Sequence, residues 1–296
     1  MDTILVIGGT GNIGFPLIKK LAENKNLKVR VGVRSISPKT NELLLGLNNV
    51  NTVKFNFLDP TTFFEAFNGV NKVFFVRPPQ LSNPKIDMFP FLNYAKKNNI
   101  QQIVFVSLIG VEKNPMTPHF KIEKRIRQLE IPYTFIRPSF FMQNLISTHL
   151  EDIINNQDLF IPAGNSRTSF IDTRDIGEIA AICLTNPNYI NQELNITGPN
   201  ALTYNEIASE MSLILGEKIT YSKPSLFKFR RTMLNRNLPK EYVNVMIMLY
   251  LITQLGNARK VTDTAEKVLQ HSPRNIQQFI SDYRSTFIPS SNNKLL

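Results

Sequence analysis

The stretch ILVIGGTGNIGFPLIKKL, residues 4–21, constrains the fold of this chain more than any other. An apolar run at residues 4–7 gives way to glycines and then to a helical pattern. Gly8, Gly11 and Gly14 form G-x-x-G-x-x-G, and Gly9 with Gly11 and Gly14 also satisfies G-x-G-x-x-G. Glycines so spaced permit a tight turn, let backbone approach a pyrophosphate and let the helix pack close on the strand. The free N–H groups that open the helix then meet a diphosphate. Gly8, Gly9, Thr10, Gly11, Asn12, Ile13 and Gly14 are therefore the candidate diphosphate-binding residues, with Thr10 and Asn12 adding side-chain donors.

The following rhythm supports this context. Strand candidates at residues 4–7, 28–33, 52–55, 72–76, 102–107 and 133–137 alternate with helical patterns at 13–25, 61–67, 86–98 and 120–129. Continuous β-branched strands between helices signal a parallel sheet covered on both faces. The expected class is α/β, a doubly wound parallel-sheet Rossmann domain with a smaller, mostly helical C-terminal lobe. Residues 1–198 are assigned to the first, with 139–170 contributing to its cleft, and 199–296 to the second. Residues 139–154 read as one long helix, 159–171 as two short strands around a Gly-Asn turn, 172–184 as a helix and 193–199 as a strand. Helices follow at 203–216, 240–254, 263–269 and 275–286, before a polar tail expected to fray.

Strand ends supply the other candidates, because ligands of open α/β sheets bind beyond the carboxyl ends of the strands. Arg34 ends the second strand, twenty residues after Gly14. NAD-selective proteins keep an Asp or Glu near there for the ribose 2′-OH. A guanidinium has the charge and flat donor geometry for a 2′-phosphate, so NADP(H) is favoured over NAD(H). Phe57, Leu58 and Asp59, in FNFLDP, are placed beside an adenine, and Arg77, Pro78 and Pro79 beside the ribose. Ser107, in VSLIG at the end of the fifth strand, faces the same crevice.

Composition narrows the alternatives. The formal charge is +11, which favours anionic partners. The densest basic stretch, residues 222–240, comes without a nucleic-acid-binding signature, so a nucleic-acid partner is a minor reading. The lone Cys183 reads as a buried thiol, and the three isolated histidines argue against a metal site. The longest apolar run, residues 245–252, is too short to span a bilayer. With no signal or transit peptide expected before residue 4, the reading is a cytoplasmic protein, with nuclear residence open.

ILVIGGTGNIG, VRVGVRS, VFFVRPP, IVFVSLIG, HFKIEKRI, IPYTFIRPSFFMQNL, FIDTRDIGEIAAICL and ELNITGPNALTYNEIA stand in this order in the chain. The set resembles the NmrA-like family, atypical relatives of the short-chain dehydrogenase/reductases. The resemblance covers residues 3–215 and, more loosely, extends to about 283. It implies a Rossmann fold, usually with NADP(H), and a C-terminal lobe closing over the nicotinamide. The family holds reductases of quinones, dyes and phenylpropanoids, and also cofactor-binding redox sensors that regulate transcription or development. None of the eight tyrosines has Lys four residues later, so the ordinary Tyr-x-x-x-Lys proton machinery is missing.

By the resemblance, His119 stands where phenylpropanoid reductases carry a lysine. It is the candidate proton donor, or a hydrogen-bond partner of the nicotinamide ribose or amide. A loop position is expected for it after Pro118, and Lys121 and Glu123 read as solvated. By the same resemblance, residues 137–145 supply the nicotinamide side: Pro138 ends the sixth strand, Phe140, Phe141 and Met142 are candidates for walling an apolar substrate slot, and Asn144 for a hydrogen bond. Two functions stay open: a reductase of a small, flat apolar acceptor, or an NADPH/NADP⁺ sensor acting on a regulatory protein partner, for which the missing pair and the apolar stretch 243–255 are the motive, core packing being the alternative reading of that stretch.

Overall fold

A computed structural model describes residues 1–288, the side chains of residues 39 and 41 excepted; most of the polar tail lies outside the described residues. The chain divides into two units: residues 1–138, 173–196 and 264–271, and residues 139–172 and 197–263 with the C-terminal segment from 272.

In the first unit the chain runs β1 (Asp2–Ile7), α1 (Gly14–Ala22), β2 (Leu27–Val33), α2 (Pro38–Leu43), β3 (Val50–Lys54), α3 (Phe63–Phe67), β4 (Lys72–Val76), α4 (Pro84–Asp87), α5 (Phe89–Lys97), β5 (Gln102–Val106), α6 (Pro118–Gln128) and β6 (Tyr133–Pro138). It returns for α9 (Thr173–Thr185), β9 (Gln192–Ile196) and α13 (Thr264–Leu269). Seven strands form one sheet, ordered β3-β2-β1-β4-β5-β6-β9, and every pairing is parallel. Ile4 pairs with Val29 on one side and Lys72 on the other, so the strand order reverses at β1. That reversal opens a crevice at the carboxyl ends. Strand β1 is buried from Thr3 to Ile7, the pattern of a strand covered on both faces. A phenylalanine cluster fills one face, with Phe75 stacked on Phe105 at 4.6 Å and Phe55 edge-on to Phe57 at 5.0 Å.

Arg137, near the end of β6, is buried and donates to both oxygens of Glu123 at 3.0 and 2.6 Å. It also pairs with Glu193 of β9 at 2.8 Å, and Arg127 bridges the same two carboxylates. Glu123 is therefore not solvated as its sequence suggests. It is 1% exposed and joins α6 to the sheet through charge-assisted bonds.

The second unit holds β7 (Phe140–Phe141), α7 (Asn144–Ser147), α8 (Leu150–Asn156), β8 (Thr168–Ile171), β10 (Ala201–Leu202), α10 (Tyr204–Leu215), α11 (Leu226–Asn235), α12 (Lys240–Gln254), α14 (Ile276–Asp282) and α15 (Arg284–Phe287). The long helix expected from residue 139 is replaced by β7 and two short helices. Phe140 and Phe141 pair in parallel with Phe170 and Ile171, and Met142 donates to Ile171 at 3.0 Å. Pairing with a distant strand overrides the local helical pattern. Of the two strands expected in 159–171, only β8 forms; Ile161 and Ala163 fold back onto the carbonyls two residues earlier.

The units do not meet at a single cut after residue 198. Residues 139–172 group with the second unit, where β7 and β8 share a sheet with β10. Residues 264–271 group with the first, where α13 packs on α9 and β9.

His149, 2% exposed, lies with its Nε2 2.7 Å from the Tyr250 hydroxyl. Burial pushes its imidazole down from 6.5 to about 4; Asp152 opposes the shift and Arg236 adds to it. The unfolded chain thus takes up a proton that the folded chain refuses, and stability falls as pH drops from about 6.5 towards 4. By pH 4 the loss amounts to about 3 kcal/mol. Urea unfolding of wild type and His149→Gln checks this: the variant should show a shallower acid slope, and equal slopes would refute the assignment.

Candidate functional site

The crevice at the switch point is a cavity of about 670 Å³ bounded by the segments that follow β1, β2, β3 and β4. Behind β1, Gly8 adopts φ +83°, a left-handed conformation that favours glycine, and its carbonyl accepts from Gly11 N–H at 3.1 Å. A Cβ on Gly9 would lie 2.5 Å from Ile18 Cδ1, and one on Gly14 would lie 2.2 Å from the Gly8 carbonyl oxygen. These contacts keep α1 tight against strand and loop. The Phe15 and Leu17 N–H groups donate to the carbonyls of Gly11 and Ile13 at 3.0 and 3.2 Å, so the helical ladder begins inside the loop, and no acidic side chain stands in the first turn of α1 to repel an anion. Gly8, Thr10 and Gly11 line the cavity. Ile13 turns its side chain inward at 5% exposure, leaving only its backbone for a ligand, while Asn12 is exposed in the same loop.

Arg34 and Ser35 form the next wall, both exposed. Ser37 caps α2 by accepting from Thr40 N–H at 3.2 Å, and the two hydroxyls lie 3.0 Å apart. Ser37 and Thr40 also line the crevice, and both were missed in the candidate set. The Ser37-Pro38 pair, a helix-start signature, was the available signal. Phe55, Asn56, Phe57 and Leu58 make the third wall. Asp59, expected beside them, does not line it. Its carboxylate caps the turn at Pro60–Thr62, accepting from Thr61 N–H at 3.2 Å and the Thr61 hydroxyl at 2.6 Å. The Thr61 hydroxyl bond holds this carboxyl below the usual range.

Pro78 and Pro79 close the fourth side. Arg77 Nη1 donates to the carbonyls of Pro78, Pro79 and Leu81 at 2.9, 3.1 and 2.9 Å. Arg77 therefore shapes this wall from behind; the structure does not bring it into the lining. At the end of β5, Ser107 is 5% exposed, and its Oγ has no hydrogen-bond partner among the described residues. Pro138 ends β6, and its carbonyl accepts from Ile109 N–H at 3.1 Å.

His119 is the second residue of α6, not part of a loop. Pro118 opens the helix, and Thr117 caps it through Phe120 N–H. The imidazole stacks on Phe105 at 5.9 Å. Burial, then the charge of Arg77, pushes its pKa down to about 3. It is thus neutral at physiological pH and suited to hydrogen bonding rather than proton donation. Phe140, Phe141 and Asn144 are half-buried in the second unit, with Phe140 edge-on to Phe170 at 6.5 Å. Cys183 is buried, and desolvation pushes its thiol above the ordinary range, which suits a packing role. Among the described residues no helix is long and apolar enough to cross a membrane.

A glycine turn at the first strand–helix crossing of a doubly wound parallel sheet defines a Rossmann-type α/β fold. A family model described as the NmrA-like family matches residues 1–280, and the chain belongs to that family. Prestalk A differentiation protein A of Dictyostelium discoideum is 29% identical over 293 residues, covering 99% of this chain and 96% of that protein. The NAD(P)H azoreductase of Xenophilus azovorans is 30% identical over 291 residues, covering 96% and 99% respectively. Among solved structures, Citrobacter sp. triphenylmethane reductase complexed with NADP(H) shares the fold with a TM-score of 0.84 at 21% identity. That match covers 95% of this chain and 99% of that one.

Proposed function

We propose that this chain is an NADP(H)-binding, reductase-like protein whose acceptors are small, flat and apolar, of quinone or dye type. The observation that carries this reading is Arg34, exposed on the crevice wall where an NAD-selective protein keeps a carboxylate. A guanidinium there offers a 2′-phosphate full charge and parallel N–H donors, and the hydroxyls of Ser35, Ser37 and Thr40 stand on the same wall. With no room for Cβ atoms at Gly9 or Gly14, α1 stays packed against the loop and its N-terminus faces the side of the crevice that Gly8, Thr10 and Gly11 line, where backbone amides would hold a diphosphate. When bound, the reduced nicotinamide supplies a hydride.

His119, held neutral, serves as a hydrogen-bonding partner on the nicotinamide side. Phe140 and Phe141 are our candidates for stacking an acceptor, with Asn144 as a donor. Acceptors of this kind need little proton donation, which suits a chain whose tyrosines lack the paired lysine. An azoreductase and a triphenylmethane reductase among the similar proteins support the acceptor class.

A second reading rests on the same missing pair and on the likeness to a differentiation protein. In it, occupancy of the crevice reports the NADPH/NADP⁺ ratio to a protein partner and turnover is vestigial. Calorimetric titration with NADPH, NADP⁺ and NADH, followed by a quinone and dye panel, separates the two. NADPH binding with turnover supports the reductase. Binding without turnover rejects it in favour of the sensor, and no heat with either phosphorylated nucleotide overturns both.

A further inference from the structure

We infer that the exposed face of α12 docks on an anionic lipid bilayer. The helix is apolar on both sides. Val243, Met246 and Tyr250 are buried in the core of the second unit. Opposite them, Tyr242, Val245, Met248, Leu249, Leu251 and Leu255 are each 40–69% exposed. Positions 242, 245 and 249 follow one line along the helix, and 248, 251 and 255 a neighbouring one, with exposed Asn244 the polar residue that heads the second line. A helix at a water-facing surface ordinarily carries polar residues there, and an apolar strip of this length marks an interaction site.

Charge decides what covers it. Residues 223–260 contain eight Lys or Arg and one acid, Glu241. Arg236 is engaged with Asp152 at 2.6 and 2.9 Å. Lys240 begins the helix, and Arg259 and Lys260 follow it, all exposed. Helix α11 packs on α12 and adds exposed Lys228 and Arg231, together with Phe227 at 75% exposure. Against a second copy, this surface would oppose its own positive charge. A headgroup layer is complementary to it: the cations meet lipid phosphates and carboxylates while the apolar side chains enter the acyl boundary. The inference stands apart from the dinucleotide reading, because none of these residues belongs to the crevice.

The full chain is sedimented with vesicles of phosphatidylcholine alone or with about one lipid in three replaced by phosphatidylserine. Partitioning onto the anionic vesicles is expected to be about tenfold stronger, and to weaken about tenfold when salt is raised towards about 0.5 M. The triple variant Val245→Ser, Leu249→Ser, Leu255→Ser should lose about tenfold or more in partitioning while keeping its thermal midpoint. The chain has no tryptophan, so Leu249→Trp provides a single indole whose emission should shift to the blue on anionic vesicles. This second variant keeps the test decisive if the triple variant fails to fold. Equal partitioning on both vesicle types, or an unshifted indole, overturns the inference. So does a wild-type dimer that the triple variant dissociates without any vesicle binding.

Discussion

Arg34→Glu is expected to weaken NADPH binding by about 100- to 10,000-fold and to leave NADH binding within a few-fold of wild type. Two charge-assisted hydrogen bonds to a 2′-phosphate contribute about 1.5–3 kcal/mol each, and the new carboxylate adds repulsion against a dianion. NADH carries no such phosphate and instead offers ribose hydroxyls, which a carboxylate accepts from. Because Arg34 is exposed, the substitution should not disturb the fold. Calorimetry with both nucleotides measures the two affinities side by side. Parallel losses for NADPH and NADH would mean that Arg34 acts on the crevice as a whole, and unchanged NADPH affinity would remove the basis for the preference.

The fold and the crevice differ in how far local sequence reveals them. Strands β1, β4 and β5 are short apolar runs between helical patterns, and burial on both faces imposes that composition directly. The segment after Pro138 obeys a different constraint. Phe140 and Phe141 become a strand only because Phe170 and Ile171, thirty residues on, supply the partner, and no local pattern contains that information. The same logic explains Asp59 and Arg77. Their residue types suit nucleotide recognition, yet backbone geometry commits one to a cap and the other to three carbonyls of its own loop. Glu123 looks solvated in a helix of lysines and arginines until Arg137, fourteen residues away, is brought against it. Chemistry-bearing residues are legible by type, whereas their partners emerge only from packing.

The glycine motif is the sharpest case, because its letters look equivalent and the structure ranks them. Gly14→Ala is expected to cost about 2 kcal/mol or more of stability and about 100-fold in dinucleotide affinity. Its Cβ would sit 2.2 Å from the Gly8 carbonyl oxygen and 2.6 Å from Gly9 Cα. Both are backbone atoms that cannot swing aside, so α1 must slide away from the loop and carry its amides with it. Gly11→Ala meets only the Gly8 carbonyl, at 3.3 Å, which a shift of a few tenths of an ångström relieves. Its stability should stay within about 1 kcal/mol of wild type, with a correspondingly modest change in affinity. Thermal unfolding and NADPH titration of the two variants in parallel measure the contrast. Equal damage from both would refute the close approach of helix to loop as what ranks these glycines.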